Sequence, residues 1–133
     1  MAKLSIRKFT CLDSAIADHC QRVDEAAEQA RGRFLTSGAG QAMAYQSKFE
    51  DATRYLDNDT GSFPWLGAEA KAQSRSMREV AIAIVQAREN WDRVGSEIEI
   101  IRLQAKSEIR SADAPAVMHS ITKTAIETLS TLT

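Results

Sequence analysis

The sequence predicts an all-α protein: helical hairpins bundled around one long helix, with a short extended N-terminal arm. Three observations predict it. Apolar residues recur at alternating steps of three and four along most of the chain, which traces one face of a helix. Glycine and proline are scarce, 6 and 2 in 133 residues, so the elements are few and long rather than the many short strands of a sandwich or barrel. Aromatic residues make up only 6% of the chain, so Ala, Ile, Leu and Val must build the core.

Residues 1–12 read as the extended arm. Leu4 and Ile6 face one way and Ser5 and Arg7 the other, as in a strand. A lone strand leaves backbone groups and an apolar face without partners. The arm is therefore expected to pair with another copy of the chain, to lie on the helices or to be floppy, with Leu4, Ile6 and Phe9 as its candidate contacts. Residues 13–133 then form a single helical domain. Its first helix opens near Asp13 or Ser14, both good N-cap types. The apolar stripe of that helix is Leu12, Ile16, Cys20, Val23, Ala27, Ala30 and Phe34. Gly38-Ala39-Gly40 marks a tight connection. The second helix follows with Ala42, Tyr45, Phe49, Ala52 and Leu56, and a short loop of this kind predicts an antiparallel hairpin with the first. Asp57-Asn58-Asp59-Thr60-Gly61 ends it as a turn. Pro64 suits the first turn of a short third helix. Phe63, Trp65 and Leu66 beside it form the densest bulky apolar cluster in the chain.

Ser76-Met77-Arg78-Glu79 is a capping box, with a hydroxyl for the Glu79 N–H and a carboxylate that can reach back to the Ser76 N–H. From there Val80, Ile84, Ala87, Trp91, Val94, Ile98, Ile101 and Ala105 keep the three-and-four rhythm. A helix continuous from here to Ala112 has ~36 residues and a length of roughly 54 Å. A compact domain of 100 residues has a radius of gyration of only about 13 Å. Two readings of the seam therefore stand side by side, cover by the other helices and contact with another chain. Trp65, Trp91, Ile98 and Ile101 join Leu4, Ile6 and Phe9 as candidate partner-binding residues. Gly95, the weak interior residue, is where a bend or a close neighbour is expected. Asp113 is placed to cap the last helix, with Pro115 in its first turn and Val117, Met118, Ile121, Ala125, Leu129 and Leu132 as its apolar side.

Composition bounds the function. A net charge of −1 argues against a polycationic nucleic-acid binder. No apolar run reaches the roughly 18–20 residues of a membrane span, and the first residues lack the apolar core of a secretory signal. No membrane partner is expected, and the two cysteines, Cys11 and Cys20, read as a reduced pair in a cytosol. Cys11, His19 and Cys20 lack the paired spacings of a zinc site. The glycines at 38 and 40 precede Gln41 rather than the lysine of a phosphate loop. Glu97 and Glu99 diverge on a helix, and the loop at Asp57 has Ala68 where a calcium loop needs its glutamate. No base accompanies Ser14, Ser37 or Ser76 in a nucleophile motif. No catalytic residue, cofactor or metal is assigned, and the chain reads as non-enzymatic. Arg102, Lys106 and Arg110 recur every four residues, a stripe able to touch phosphates or to lie in solvent as a charged face.

Four stretches carry a family resemblance: Ile6-Arg7-Lys8-Phe9; Gly38-Ala39-Gly40-Gln41-Ala42-Met43-Ala44-Tyr45-Gln46-Ser47-Lys48; Pro64-Trp65-Leu66-Gly67-Ala68-Glu69-Ala70; and Ile98-Glu99-Ile100-Ile101-Arg102-Leu103-Gln104-Ala105-Lys106 with Ile109. Through them, from about residue 3 to 126, the chain resembles small helical proteins of bacteriophage tail gene regions, segments of which are also appended to tail-fibre-type proteins. The resemblance implies a structural or adaptor role in the virion, at the tail, neck or fibre attachment. Other phage structural proteins and further copies of the chain would be its partners, with assembly in the host cytoplasm. Two alternatives accompany it: a tail-fibre assembly chaperone absent from the mature particle, and a small regulator that binds nucleic acid or a host protein.

Overall fold

The computed structural model describes residues 2–35 and 38–133, with the backbone alone for residues 2–11 and Ala39. The fold is all-α. Five helices follow in order: α1 (Ala2–Gly32), α2 (Ala39–Asp57), α3 (Pro64–Gln73), α4 (Met77–Ser111) and α5 (Pro115–Thr131). The long helix α4 has 35 residues, close to the length expected from its stripe. Gly95 is helical within it.

The N-terminal segment departs from expectation. Helix α1 starts at Ala2, so residues 2–12 are helical and the extended arm is not formed. The physical reason lies in the sequence. Alternation over Leu4 to Arg7 is too short to specify a strand, and no glycine or proline separates Ala2 from the strong helical pattern at Leu12. The side chains of Leu4, Ile6 and Phe9 lie outside the described residues.

The helices sort into two compact units, where a single domain over 13–133 was expected. One comprises Met1–Phe34 with Val94–Thr133, the other Leu35–Arg93. Helices α1 and α2 thus fall in different units.

In the first unit, α1, α5 and the C-terminal part of α4 share two apolar clusters. Cys20, Val23, Ala105, Ile109, Met118 and Ala125 form one, and Ala27, Ala30, Val94, Ile98 and Leu129 the other. Four of these residues are alanines, which let helix axes approach closely. The C-terminal carbonyls of α5 are met by Arg33, whose Nη2 donates to Leu129 O at 2.7 Å and Leu132 O at 3.2 Å. A cation at that end also complements the helix dipole. At the other end, Pro115 takes the first helical position and Ala114 becomes the N-cap, with no side-chain cap bond. The expected cap Asp113 is one residue too early, because the residue before a proline is held extended and must itself be the boundary.

In the second unit, Ala52, Phe63, Leu66, Ala70, Val80 and Ala81 form the core. Gly38 opens α2 with φ 119, a conformation that favours glycine. The start of α3 shows how two helices are locked together. Its N-cap Phe63 has no side-chain acceptor, and Pro64 has no N–H to satisfy. Asp51, on α2 and only 5% exposed, supplies the acceptor instead. Its Oδ2 takes the N–H of Trp65 at 2.8 Å and of Leu66 at 3.1 Å, and its Oδ1 takes the Arg54 guanidinium at 2.7 Å. The next amide, Gly67, reaches Phe63 O at 2.8 Å. All the orphan donors of the first turn are thereby accounted for. The Arg54 guanidinium also lies over the Phe63 ring at 5.0 Å, and Tyr55 meets the same ring edge-on at 5.3 Å. The capping box of α4 forms in one direction: Glu79 N donates to Ser76 Oγ at 3.1 Å, while the Glu79 carboxylate turns to Arg75.

Replacing Asp51 by Ala strands two amides inside the second unit. The expected loss is about 2 kcal/mol in urea unfolding, the cost of a lost cap whose donors stay buried. Asp51→Asn, which keeps one oxygen acceptor, should lose less.

Candidate interaction surface

Six charged residues of the first unit pair with one another. Asp24, Glu28 and Arg31 of α1 join Glu99, Arg102 and Lys106 of α4 in one network of three carboxylates and three cations. Arg102 holds Glu99 through two bonds, Nη2 to Oε1 at 2.6 Å and Nε to Oε2 at 3.2 Å. Its third nitrogen, Nη1, reaches Asp24 Oδ1 at 3.0 Å. Lys106 Nζ donates to both Asp24 oxygens, at 3.1 and 2.9 Å. Arg31 bridges Glu99 at 2.9 Å and Glu28 at 3.3 Å. Burial works to raise the Asp24 pKa, but the hydrogen bonds and charges of Lys106 and Arg102 outweigh it and hold it below the usual value. Glu99 is lowered chiefly by its hydrogen bond from Arg102. Arg102 is raised in turn, by Glu99 first and Asp24 second.

This geometry changes the meaning of the Arg102/Lys106/Arg110 stripe. Arg102 and Lys106 are turned to α1 and spent on carboxylates, and only Arg110 is left on the exposed side. The stripe is a helix–helix clamp.

The candidate partner-binding residues separate. Ile98 is fully buried in the first unit, and Ile101 is partly buried against both of its apolar clusters. Both belong to the core, because they lie on the same stripe as Val94 and Ala105. Trp91, half-buried, and Trp65, 47% exposed, lie in the second unit. The apolar side chains that α4 presents outward in the first unit are Ile100 and Leu103, at 54% and 53% exposure. At 3.6 residues per turn they lie ~200° and ~140° around the helix from Ile98, opposite the packed face. Sequence reasoning passed them over because it followed the stronger stripe, yet their place off that stripe was the available signal.

On α5 the buried series is Met118, Thr122, Ala125 and Leu129, with Val117 exposed. Thr122 takes a position in the stripe that an apolar search skips. It does so by pairing with His19, whose Nδ1 is 3.0 Å from Thr122 Oγ1. His119 stands beside them, its ring centroid 6.2 Å from that of His19, although nothing in the sequence brings the two histidines together. Cys20, the neighbour of His19, is a buried free thiol. Among the described residues, no group of three or more His, Cys, Asp or Glu side chains is placed to hold a metal ion. No described helix is long and apolar enough to cross a membrane.

Comparison with protein-family models, curated proteins and solved structures finds no match to this chain.

The clamp has a signed pH dependence. A carboxylate whose pKa is lowered by folding stabilises the fold above its unfolded value and loses that contribution as pH falls through the folded one. Asp24→Asn should therefore cost about 1 kcal/mol at neutral pH, modest because Asp24 is partly solvated. In urea unfolding from pH 7 to 3, the gap between variant and parent should close below about pH 4.

Proposed function

We propose that the chain is a non-enzymatic structural or adaptor protein of a tailed-phage particle, at the tail, neck or fibre attachment. It works through protein–protein contacts and self-association. Its partners are other phage structural proteins and further copies of itself, and it is assembled in the host cytoplasm. The observation that carries this reading is the second apolar face of α4, where Ile100 and Leu103 stand exposed one turn apart while the charges of the opposite side are consumed inside the unit. A surface of this kind suits contact with an apolar partner. The resemblance to tail-region proteins, which includes the stretch Ile98 to Lys106, points the same way.

The nucleic-acid alternative rested on the basic stripe, and two of its three cations are committed to Asp24 and Glu99. Their commitment disfavours a phosphate-binding role, because a phosphate would have to displace a carboxylate already in place.

Mass spectrometry of purified particles tests the reading. The chain is expected in mature virions, and its absence would overturn the structural role in favour of the assembly chaperone. In solution, light scattering after size exclusion should show an oligomer whose mass falls in the double variant Ile100→Asp, Leu103→Asp. Because both side chains are exposed, that variant should keep its helical signal. A parent chain that stays monomeric at high concentration removes self-association.

A further inference from the structure

The seam between α1 and α5 contains a group that neither the clamp nor the apolar face uses. His19 is 8% exposed, and its bond to the fully buried Thr122 joins residues 103 apart in sequence. The second imidazole, His119, meets the His19 ring edge-on. The charged and titratable groups that act on His19 are Asp18 and Arg22 from its own helix and His119 from α5. From α4, the neighbouring cluster receives only Ile101, Ala105, Ile109 and Ala112, all apolar. The charged α4 side chains that reach α1 are drawn to Asp24, Glu28's partner Arg31 and their network instead.

We propose that His19, Thr122 and His119 make the α1–α5 seam an acid-sensitive joint, which loosens reversibly when the His19 imidazole takes up a proton. A proton on His19 places a cation in a poorly hydrated position beside Arg22, across the seam from the His119 ring. Asp18 is the one nearby group that opposes this. Burial first, then Arg22 and His119, hold the His19 pKa below its ordinary value, with Asp18 acting the other way. For a histidine lowered by folding, the unfolded chain binds the proton more readily. Stability is then complete above about pH 6.5, the unfolded value, and declines as pH falls below it. This window lies above that of the Asp24 clamp, so the two effects separate on the pH axis. The joint stands independently of any role in a particle.

Hydrogen exchange on the full chain from pH 8 to 5, expressed as protection factors, tests the joint, with α3 in the other unit as internal reference. Protection of the α5 amides is expected to fall below about pH 6.5 while that of α3 holds. In His19→Gln the selective loss should disappear. Should that variant fail to fold, His119→Gln decides, since His119 is exposed and its replacement spares the core; the loss should then still begin near pH 6.5 but be smaller at pH 5. Protection in α5 that tracks α3 at every pH overturns the joint, as does a loss at pH 5 that His119→Gln leaves undiminished.

Discussion

One helix supplies buried side chains to every apolar cluster of the described structure. Val80 and Ala81 of α4 enter the core of the second unit, Val94 and Ile98 one cluster of the first, and Ala105 and Ile109 the other. The flanking helices also pack on one another, α1 on α5 and α2 on α3. Helix α3 has ten residues and two buried side chains, Leu66 and Ala70. Isolated helices of such length are marginal in water, and tertiary packing on an amphipathic face supplies most of their stability. The apolar stripe of α4 is thus the constraint on which the rest depends. Between Val85 and Val94 no residue of that stripe is fully buried, and the division between the two units falls in this interval. A stripe that is continuous in sequence serves two separate cores.

That difference between pattern and burial explains what the sequence could and could not reveal. The stripe of α1 was legible because its three-and-four steps have one interpretation, and Cys20, Val23, Ala27 and Ala30 are all buried. The stripe of α4 was legible as a helix, but periodicity alone does not say which partner covers each turn. Ile98 and Ile101 therefore read equally well as core or as interface until the packing placed them inside. Polar residues with partners far along the chain were illegible for a different reason. Asp51 gave no sign of capping a helix that begins thirteen positions later at Pro64, because a cap is ordinarily sought within the same helix. Thr122 is buried only because His19 satisfies its hydroxyl, and a buried hydroxyl without such a partner would be costly. The N-terminal segment failed on length, since four alternating residues do not outweigh a helix that can propagate back from Leu12.

The charge arithmetic also acquires a structural meaning. A net charge of −1 arises from 17 basic and 18 acidic residues, and so from cancellation rather than scarcity. In the first unit the cancellation is local: Arg31–Glu99, Arg102–Asp24 and Lys106–Asp24 pair across α1 and α4, and Arg31–Glu28 and Arg102–Glu99 along them. Single exposed pairs contribute little, but here one guanidinium serves two carboxylates and one ammonium serves both oxygens of Asp24. Such a network fixes rotation and register between two helices whose small apolar residues would tolerate sliding. Long-range steering of a charged partner is weak for a surface neutralised in this way.

Neutral flanks and an exposed apolar pair have a joint consequence. Ile100 and Leu103 occupy the same helical turns whose inner side is held by Ile98, Ile101 and the clamp at Glu99 and Arg102. The outward side chains therefore stand on a segment whose backbone and rotation are set before any partner arrives. A contact made there would not have to order the helix, and the entropy of ordering is a principal cost of association. Pre-ordering of this kind favours assembly from small apolar patches, where each contact is weak and many copies act together.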